Sequence, residues 1–193
     1  MKNSLLKVLE DKKDIIDYSF NCENVDFNNI DNVNFKNCNF SNINFSNMQF
    51  LNVTFSKCNF ENCVFDNVVL KNINYTNSKL IGVSFDECIL KKIKYEDSCL
   101  TYVSFSKVKF EDIIYNISKI IYILIKNSNL NNVDFHSCNI DEIEFVNSNC
   151  VNTFLFSSKI LSVKGDIKNL KGVSLSIEQI LDFIVNFGII LHE

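Results

Sequence analysis

The chain contains no proline, no tryptophan and no arginine, and among its 193 residues there are only four glycines and two histidines. Each shortage removes a class of function. Without arginine there are no guanidinium forks to grip phosphates or guanine edges, so direct nucleic-acid binding is not expected. The glycines (Gly82, Gly165, Gly172, Gly188) are too scattered to form a phosphate-cradling loop. A catalytic triad needs nucleophile, base and acid to converge. His136, between Phe135 and Ser137 and near Asp134, stands where side chains face water, and His192 lies in the tail. No catalytic residue, metal site or cofactor is expected. The most apolar stretch, Ile113 to Ile125, is interrupted by Asn116, Ser118 and Lys119, too short and too polar to span a bilayer. The first residues lack the apolar run and cleavage site of a secretory signal, so a cytoplasmic protein without membrane contact is expected.

What the chain does have is a strict period. From Phe35 to Leu155 every fifth residue is apolar, beginning Phe35, Phe40, Phe45, Phe50, Phe55, Phe60 and Phe65. Two residues before each stands a small or β-branched residue, such as Val33, Cys38, Ile43 and Val53, with Met48 the largest. Asn commonly precedes that, as at Asn32, Asn37, Asn42, Asn47 and Asn52. A helix has period 3.6 and a strand period 2, so neither template fits. Short, fixed self-similarity is the mark of a solenoid, in which each unit buries its apolar face only against its neighbours.

A second period of twenty sets the size of one turn. Positions 35, 55, 75, 95, 115 and 135 read Phe, Phe, Tyr, Tyr, Tyr, Phe; positions 33 to 133 at the same step are all Val or Ile; positions 38 to 138 are all Cys or Ser. Like residues twenty apart stack, so four pentapeptides close one square coil, with coils ~4.8 Å apart as in hydrogen-bonded strands. Aromatic and Asn ladders then run along the axis. Residues 31–155 make 25 pentapeptides, about six coils and a rod roughly 30 Å tall at that spacing.

This pattern resembles the pentapeptide-repeat family, whose members form an all-β solenoid, the right-handed quadrilateral β-helix. The family motif centres on Leu or Phe with Ala two places before; here Val, Ile, Cys and Ser take that inner place. The resulting division is an N-terminal cap segment at 1–17, a β-helix at 18–160, and a linker, helix and short strand at 161–193. Leu5, Leu6, Val8, Leu9, Ile15 and Ile16 supply apolar cover for the first coil, whose open strand edges need protection. The triplet Val25, Asp26, Phe27 echoes the motif out of step with Ile30, predicting a distorted first coil.

At the other end the register fades through Gly165 and Gly172. Ser176 and Gln179 read as a capping box. Ile177, Ile180, Leu181, Ile184 and Phe187 follow at helical spacing, Gly188 is placed to end the helix, and Ile189, Ile190 and Leu191 suit a last strand. The stretch from Leu170 to Leu175, with Gln179 and the run from Phe187 to Ile190, resembles the tail of Qnr-type quinolone-resistance proteins. The resemblance implies a C-terminal α-helix that packs against a second copy, giving a homodimer through Ile177, Ile180, Leu181, Ile184, Phe187, Ile189 and Ile190. The alternative is a helix that only caps its own rod.

Of eight cysteines, Cys38, Cys58, Cys63, Cys88 and Cys138 fall at the inner small place and Cys150 at a central one, with no C-x-x-C pair. Buried free thiols acting as small hydrophobes are expected. Cys38 and Cys58 stack within bonding reach, although a reducing cytosol argues against a bridge.

The Qnr resemblance further implies binding to a type II topoisomerase, DNA gyrase or topoisomerase IV, by imitation of duplex DNA. Charge gives that little support. A rod of ~30 Å would face roughly seventeen phosphates, whereas residues 31–155 carry thirteen acids and eleven lysines. The acids form no column: Asp66 and Asp86 are followed by Ser106 and Lys126. The Lys-rich middle is self-neutralised by stacking Lys91 on Glu111, Lys92 on Asp112 and Glu87 on Lys107. One surface cluster stands out: Tyr102, Ile114, Ile117, Ile121, Tyr122 and Leu124 all take outward places, marking either a protein-binding patch or a local irregularity that turns some of them inward. The two functional readings are therefore a Qnr-like, DNA-shaped topoisomerase binder and a scaffold for a different protein partner.

Overall fold

The structure, a computed structural model, describes residues 13–20 and 28–185. It is a stack of parallel strands in which residue i pairs with residue i + 20 at every rung, as in Phe55 with Tyr75 and Tyr75 with Tyr95. One sheet runs from Asp14–Ile16 through Asn34–Lys36, Gln49–Ser56, Val69–Thr76, Ile89–Glu96, Lys109–Asn116, Asn129–His136 and Asn149–Phe154 to Val173–Ser174. A second sheet stacks the intervening edges, including Lys119–Lys126, Asn139–Val146 and Lys159–Gly165. About eight turns result, more than residues 31–155 alone supply, because pairing continues at both ends. Asp14–Ile16, within the segment read as an N-terminal cap, already pairs with Asn34–Lys36, and Lys159–Gly165 carries the register past Ile160. Residues 1–12, the Val25 to Phe27 triplet, Phe187, Gly188, Ile189, Ile190, Leu191 and His192 lie outside the described residues.

The interior is laddered. Phe35, Phe55, Tyr75, Tyr95, Tyr115 and Phe135 stack face to face with ring centroids 5.2, 5.1, 4.9, 4.7 and 4.4 Å apart. Phe45, Phe65, Phe85 and Phe105 make a second ladder at 4.9, 4.8 and 4.9 Å. The spacing is that of the backbone rungs, so sheet pairing and ring stacking reinforce each other. The phenol hydroxyls of Tyr75, Tyr95 and Tyr115 are buried without a hydrogen-bond partner.

The corners explain the Asn. Every fifth residue from Asn32 to Ile117 has positive φ, between 47° and 64°. Asn tolerates this left-handed conformation better than other non-glycine residues. Stacked corners also bond to each other, with Asn67 donating to Asn47 (2.9 Å), Asn72 to Asn52 (2.8 Å) and Asn37 to Asp17 (2.6 Å). Gly82 takes one corner at φ 63°, where a Cβ would sit 2.7 Å from the Asn62 side-chain oxygen.

The inner small place carries its own bonding pattern. Each Ser hydroxyl accepts the backbone N–H one coil earlier and donates back to a carbonyl. Cys58 N donates to Ser78 Oγ, Ser78 N to Ser98 Oγ and Ser98 N to Ser118 Oγ, at 3.0, 3.1 and 3.2 Å. Thiols copy the donating half: Cys63 reaches Phe40 O at 3.0 Å and Cys88 reaches Phe65 O at 2.9 Å. Small residues here are hydrogen-bonding parts of the wall as well as space fillers.

At the C-terminal end a short 3₁₀ turn (Ile167–Leu170) leads to helix α1 (Ile177–Val185). The capping box is present: Ser176 N donates to Gln179 Oε1 (2.8 Å) and Gln179 N to Ser176 Oγ (3.2 Å). Gln179 Nε2 also donates to Leu155 O (3.0 Å) and Ser158 O (2.7 Å), tying the helix to the last coil.

Candidate functional site

On the walls, side chains stand side by side. His136 faces outward, paired in register with Asn116. Among the described residues no group of His, Cys, Asp or Glu is arranged to hold a metal ion, and no helix is long and apolar enough to cross a membrane. A shallow depression runs over Lys57, Asn59, Glu61, Asn77, Lys79 and Ile81.

Two of the three cross-coil charge pairs form as the stacking requires. Lys91 bonds Glu111, and Lys107 Nζ lies 2.7 Å from Glu87 Oε1. Asp112 instead accepts from Asn132 Nδ2 at 2.7 Å, a corner-to-corner bond that replaces the expected contact with Lys92. Lys164 with Glu142 (2.7 Å) adds another exposed cross-coil pair. Asp66 and Asp86 do stack, and the column continues to Ser106 and Lys126. Partial burial, then the charges of Asp86 and Glu87, raise the Asp66 carboxyl above its ordinary range. The neighbouring acids thus oppose one another without extending into a phosphate-like row.

The six candidate patch residues divide between faces. Tyr102 and Tyr122 share one corner, their rings 6.1 Å apart and tilted by 45°. Ile121 and Leu124 flank that corner, and all of Ile121, Tyr122 and Leu124 are half-buried. Ile114 lies on the strand Lys109–Asn116, between Lys94 and Asp134 of neighbouring coils, and Ile117 stands at the following corner. The patch is therefore a band round three edges of one coil joined by Tyr102 of the coil before, the most exposed member at 64%. Tyr122 is less exposed than Tyr102, and the corner conformation differs between them. The corner column Asn42, Asn62, Gly82 and Tyr102 has positive φ, whereas Tyr122 and Glu142 do not and instead pair with each other in register. Tyr122 Oη then donates to Glu144 Oε2 at 2.9 Å; burial first, and this carboxylate second, push its phenol up to about 12.

The C-terminal end holds a second apolar surface. Of the candidate dimer contacts, Ile177 (78% exposed), Ile180 and Leu181 face solvent, Ile184 packs partly against the core, and Phe187, Ile189 and Ile190 lie outside the described residues. Phe183, one turn after Gln179, is the buried anchor of α1, which the expected stripe omitted. Gln179 and Phe183 at i and i + 4 share the rod-facing side, and that pair was the available signal. Val185, Phe156, Leu161 and Ile167 add further exposed apolar area at this end.

Stacked four-edged coils of five residues per edge, with left-handed Asn corners and a laddered interior, define a pentapeptide-repeat β-solenoid. A family model described as a pentapeptide repeat region matches residues 28–105. No curated protein sequence matches the chain. Among solved structures it is similar to a trypsin-treated variant of QnrB1, a plasmid-mediated fluoroquinolone resistance protein. That match has 17% identity over 93% of this chain and 97% of the other, with a TM-score of 0.57. It is also matched, at 10% identity over 84% of this chain and 86% of the other, to HetL, a pentapeptide repeat protein involved in heterocyst differentiation regulation from the cyanobacterium Nostoc; there the TM-score is 0.29. Residues 28–105 thus match the pentapeptide repeat region, and the fold is that of the pentapeptide-repeat β-helix, similar to QnrB1.

Proposed function

We propose that the protein is a non-catalytic binding rod, paired with a second copy through its C-terminal end, whose target is a type II topoisomerase, DNA gyrase or topoisomerase IV. The observation that carries this reading is the C-terminal end itself. A capped helix is bonded to the last coil through Gln179 and leaves Ile177, Ile180 and Leu181 exposed, as are Leu161 and Ile167 on the preceding strand and turn. This is the layout that the Qnr resemblance implies for a paired protein, on a fold matched over nearly the full length of QnrB1. Exposed apolar area of this kind is favourable to bury, at about 25 cal/mol per Å². The mixed charge of the walls supports recognition through rod shape and local contacts rather than imitation of a phosphate row. Both topoisomerases act in the cytoplasm, the compartment this reading assigns to the chain.

The test is a supercoiling assay with purified gyrase, with and without a fluoroquinolone. Inhibition or protection at micromolar protein is expected; neither effect removes the topoisomerase reading. Pairing is checked separately by sedimentation, where Leu181→Glu is expected to shift a dimer to monomer. A second reading, a scaffold for another protein, is favoured by Tyr102, an exposed aromatic held at a left-handed corner. For a captured partner, Tyr122→Lys and Tyr102→Lys are expected to reduce capture at least severalfold, and equal capture counts against this reading.

A further inference from the structure

Cys38 and Cys58 occupy equivalent inward places on successive coils. The bridges Ser19 to Asn39 and Asn39 to Asn59 fix these rungs in register, and the two thiols repeat each other's contacts. Cys38 Sγ lies 3.5 Å from Ile15 O and Lys36 O; Cys58 Sγ lies 3.5 Å from Phe35 O and Ser56 O. Neighbouring rungs are ~4.8 Å apart, within the ~4.4–6.8 Å that a disulfide spans between Cα atoms. Further along the same column stand Ser78, Ser98 and Ser118, so Cys38 finds a thiol on the next rung where later coils offer a hydroxyl.

We propose that Cys38 and Cys58 form a redox modification site, at which a peroxide joins the two sulfurs and staples one coil to the next near the N-terminal end. The Cys38 thiolate attacks the peroxide: an S–O bond forms, the O–O bond breaks, and hydroxide leaves. The Cys58 sulfur then attacks the Cys38 sulfenic acid. The S–S bond forms, the second hydroxide departs, and the two thiol protons complete two waters. Cys38 is the attacking member because the neighbouring Cys58 thiol outweighs burial and brings it down to about 7, while the same neighbour relation and burial raise Cys58. Access comes from the N-terminal side, where a three-residue strand (Asp14–Ile16), the bridge at Ser19 and half-buried Tyr18 cover Cys38. Short terminal rungs open more readily than central ones. Parallel side chains on adjacent rungs must be drawn together to reach the ~3.5–4.5 Å between Cβ atoms in a disulfide, so the bridge is strained and easily reduced again, as a reversible signal requires. A reducing compartment keeps it open at rest.

The folded full-length chain is treated with hydrogen peroxide, quenched, unfolded and alkylated. The expected result is two fewer reactive thiols than the eight in the sequence and a peptide linking Cys38 to Cys58 that dithiothreitol releases. Cys58→Ser is expected to trap a sulfenic acid on Cys38 that dimedone captures, and Cys38→Ser to give neither product. Serine is the natural occupant of rungs 78, 98 and 118, so both variants keep the column's bonding. Eight alkylated thiols in the treated protein, linkage of other cysteines, or equal dimedone capture in Cys38→Ser would overturn the proposal.

Discussion

Raising the pH should unfold this protein through its tyrosine ladder. Tyr75, Tyr95 and Tyr115 are at most 1% exposed, and their hydroxyls have no partner. Burial pushes each phenol above its ordinary value. In the unfolded chain these groups ionise near pH ~10; in the folded rod they stay neutral beyond it. Above that pH the unfolded chain binds fewer protons than the native one, so stability falls as pH rises. The contribution is fully present below ~10 and is lost on the way to the folded values. Each phenol adds a slope of about 1.4 kcal/mol per pH unit, and three give about 4 kcal/mol. Against a total of ~5–15 kcal/mol for a typical domain, one to a few pH units above 10 suffice. Cys88, Cys138 and Cys150, pushed up to about 11 by burial, steepen the decline as well. The informative comparison is therefore with the variant carrying Phe at 75, 95 and 115, which keeps the stack and the thiols. Urea unfolding across the alkaline range should show the Phe variant more stable at neutral pH, since an unpartnered buried hydroxyl costs about 1–3 kcal/mol. The gap should widen by about 4 kcal/mol per unit past ~10. A gap that stays constant with pH, or a Phe variant less stable at neutral pH, would refute the reasoning and mean that the hydroxyls hold partners such as ordered water.

Three further outcomes follow from single positions. Ile117 is a β-branched residue at φ 50°, so Ile117→Asn should raise stability by about 1–2 kcal/mol in urea unfolding; an unchanged or lower midpoint contradicts a strained corner. Ser98→Ala leaves the N–H of Ser78 without its acceptor and should lower stability by about 1–3 kcal/mol, with Ser98→Cys less damaging because a thiol keeps the donor. Gln179→Ala removes one half of the capping box and both ties to the last coil. It should cost about 1–2 kcal/mol and speed amide exchange across α1, and unchanged exchange would show that the helix is held by Phe183 alone.

Much of the fold is legible in the sequence because stacking depends on spacing alone. The step of twenty puts Tyr75, Tyr95 and Tyr115 over one another and assigns inward and outward places along the repeat. The capping box is equally readable, since Ser176 and Gln179 need only their separation. Corner geometry is less accessible. Asn at 32, 37 and 42 marks left-handed corners in retrospect, but nothing in the spacing says that Tyr122 abandons the conformation Tyr102 keeps. That choice depends on how the Lys119–Lys126 and Asn139–Val146 strands pair through the corner, and it decides how much of the apolar band faces out. Nor does a helical stripe say which of its sides meets the rod. In α1 the side carrying Gln179 and Phe183 prevails because Gln179 reaches the carbonyls of Leu155 and Ser158.

The register of twenty also quantises the dimensions this protein can adopt. Excising one full circuit would shorten the column by a single ~4.8 Å step and leave the C-terminal surface with its original bearing. Excising five residues would instead swing everything downstream through a quarter of a revolution, pointing that surface and the band at Tyr102 toward different compass directions. Length and bearing can thus be varied independently, which makes the solenoid a natural ruler for whatever it is paired with.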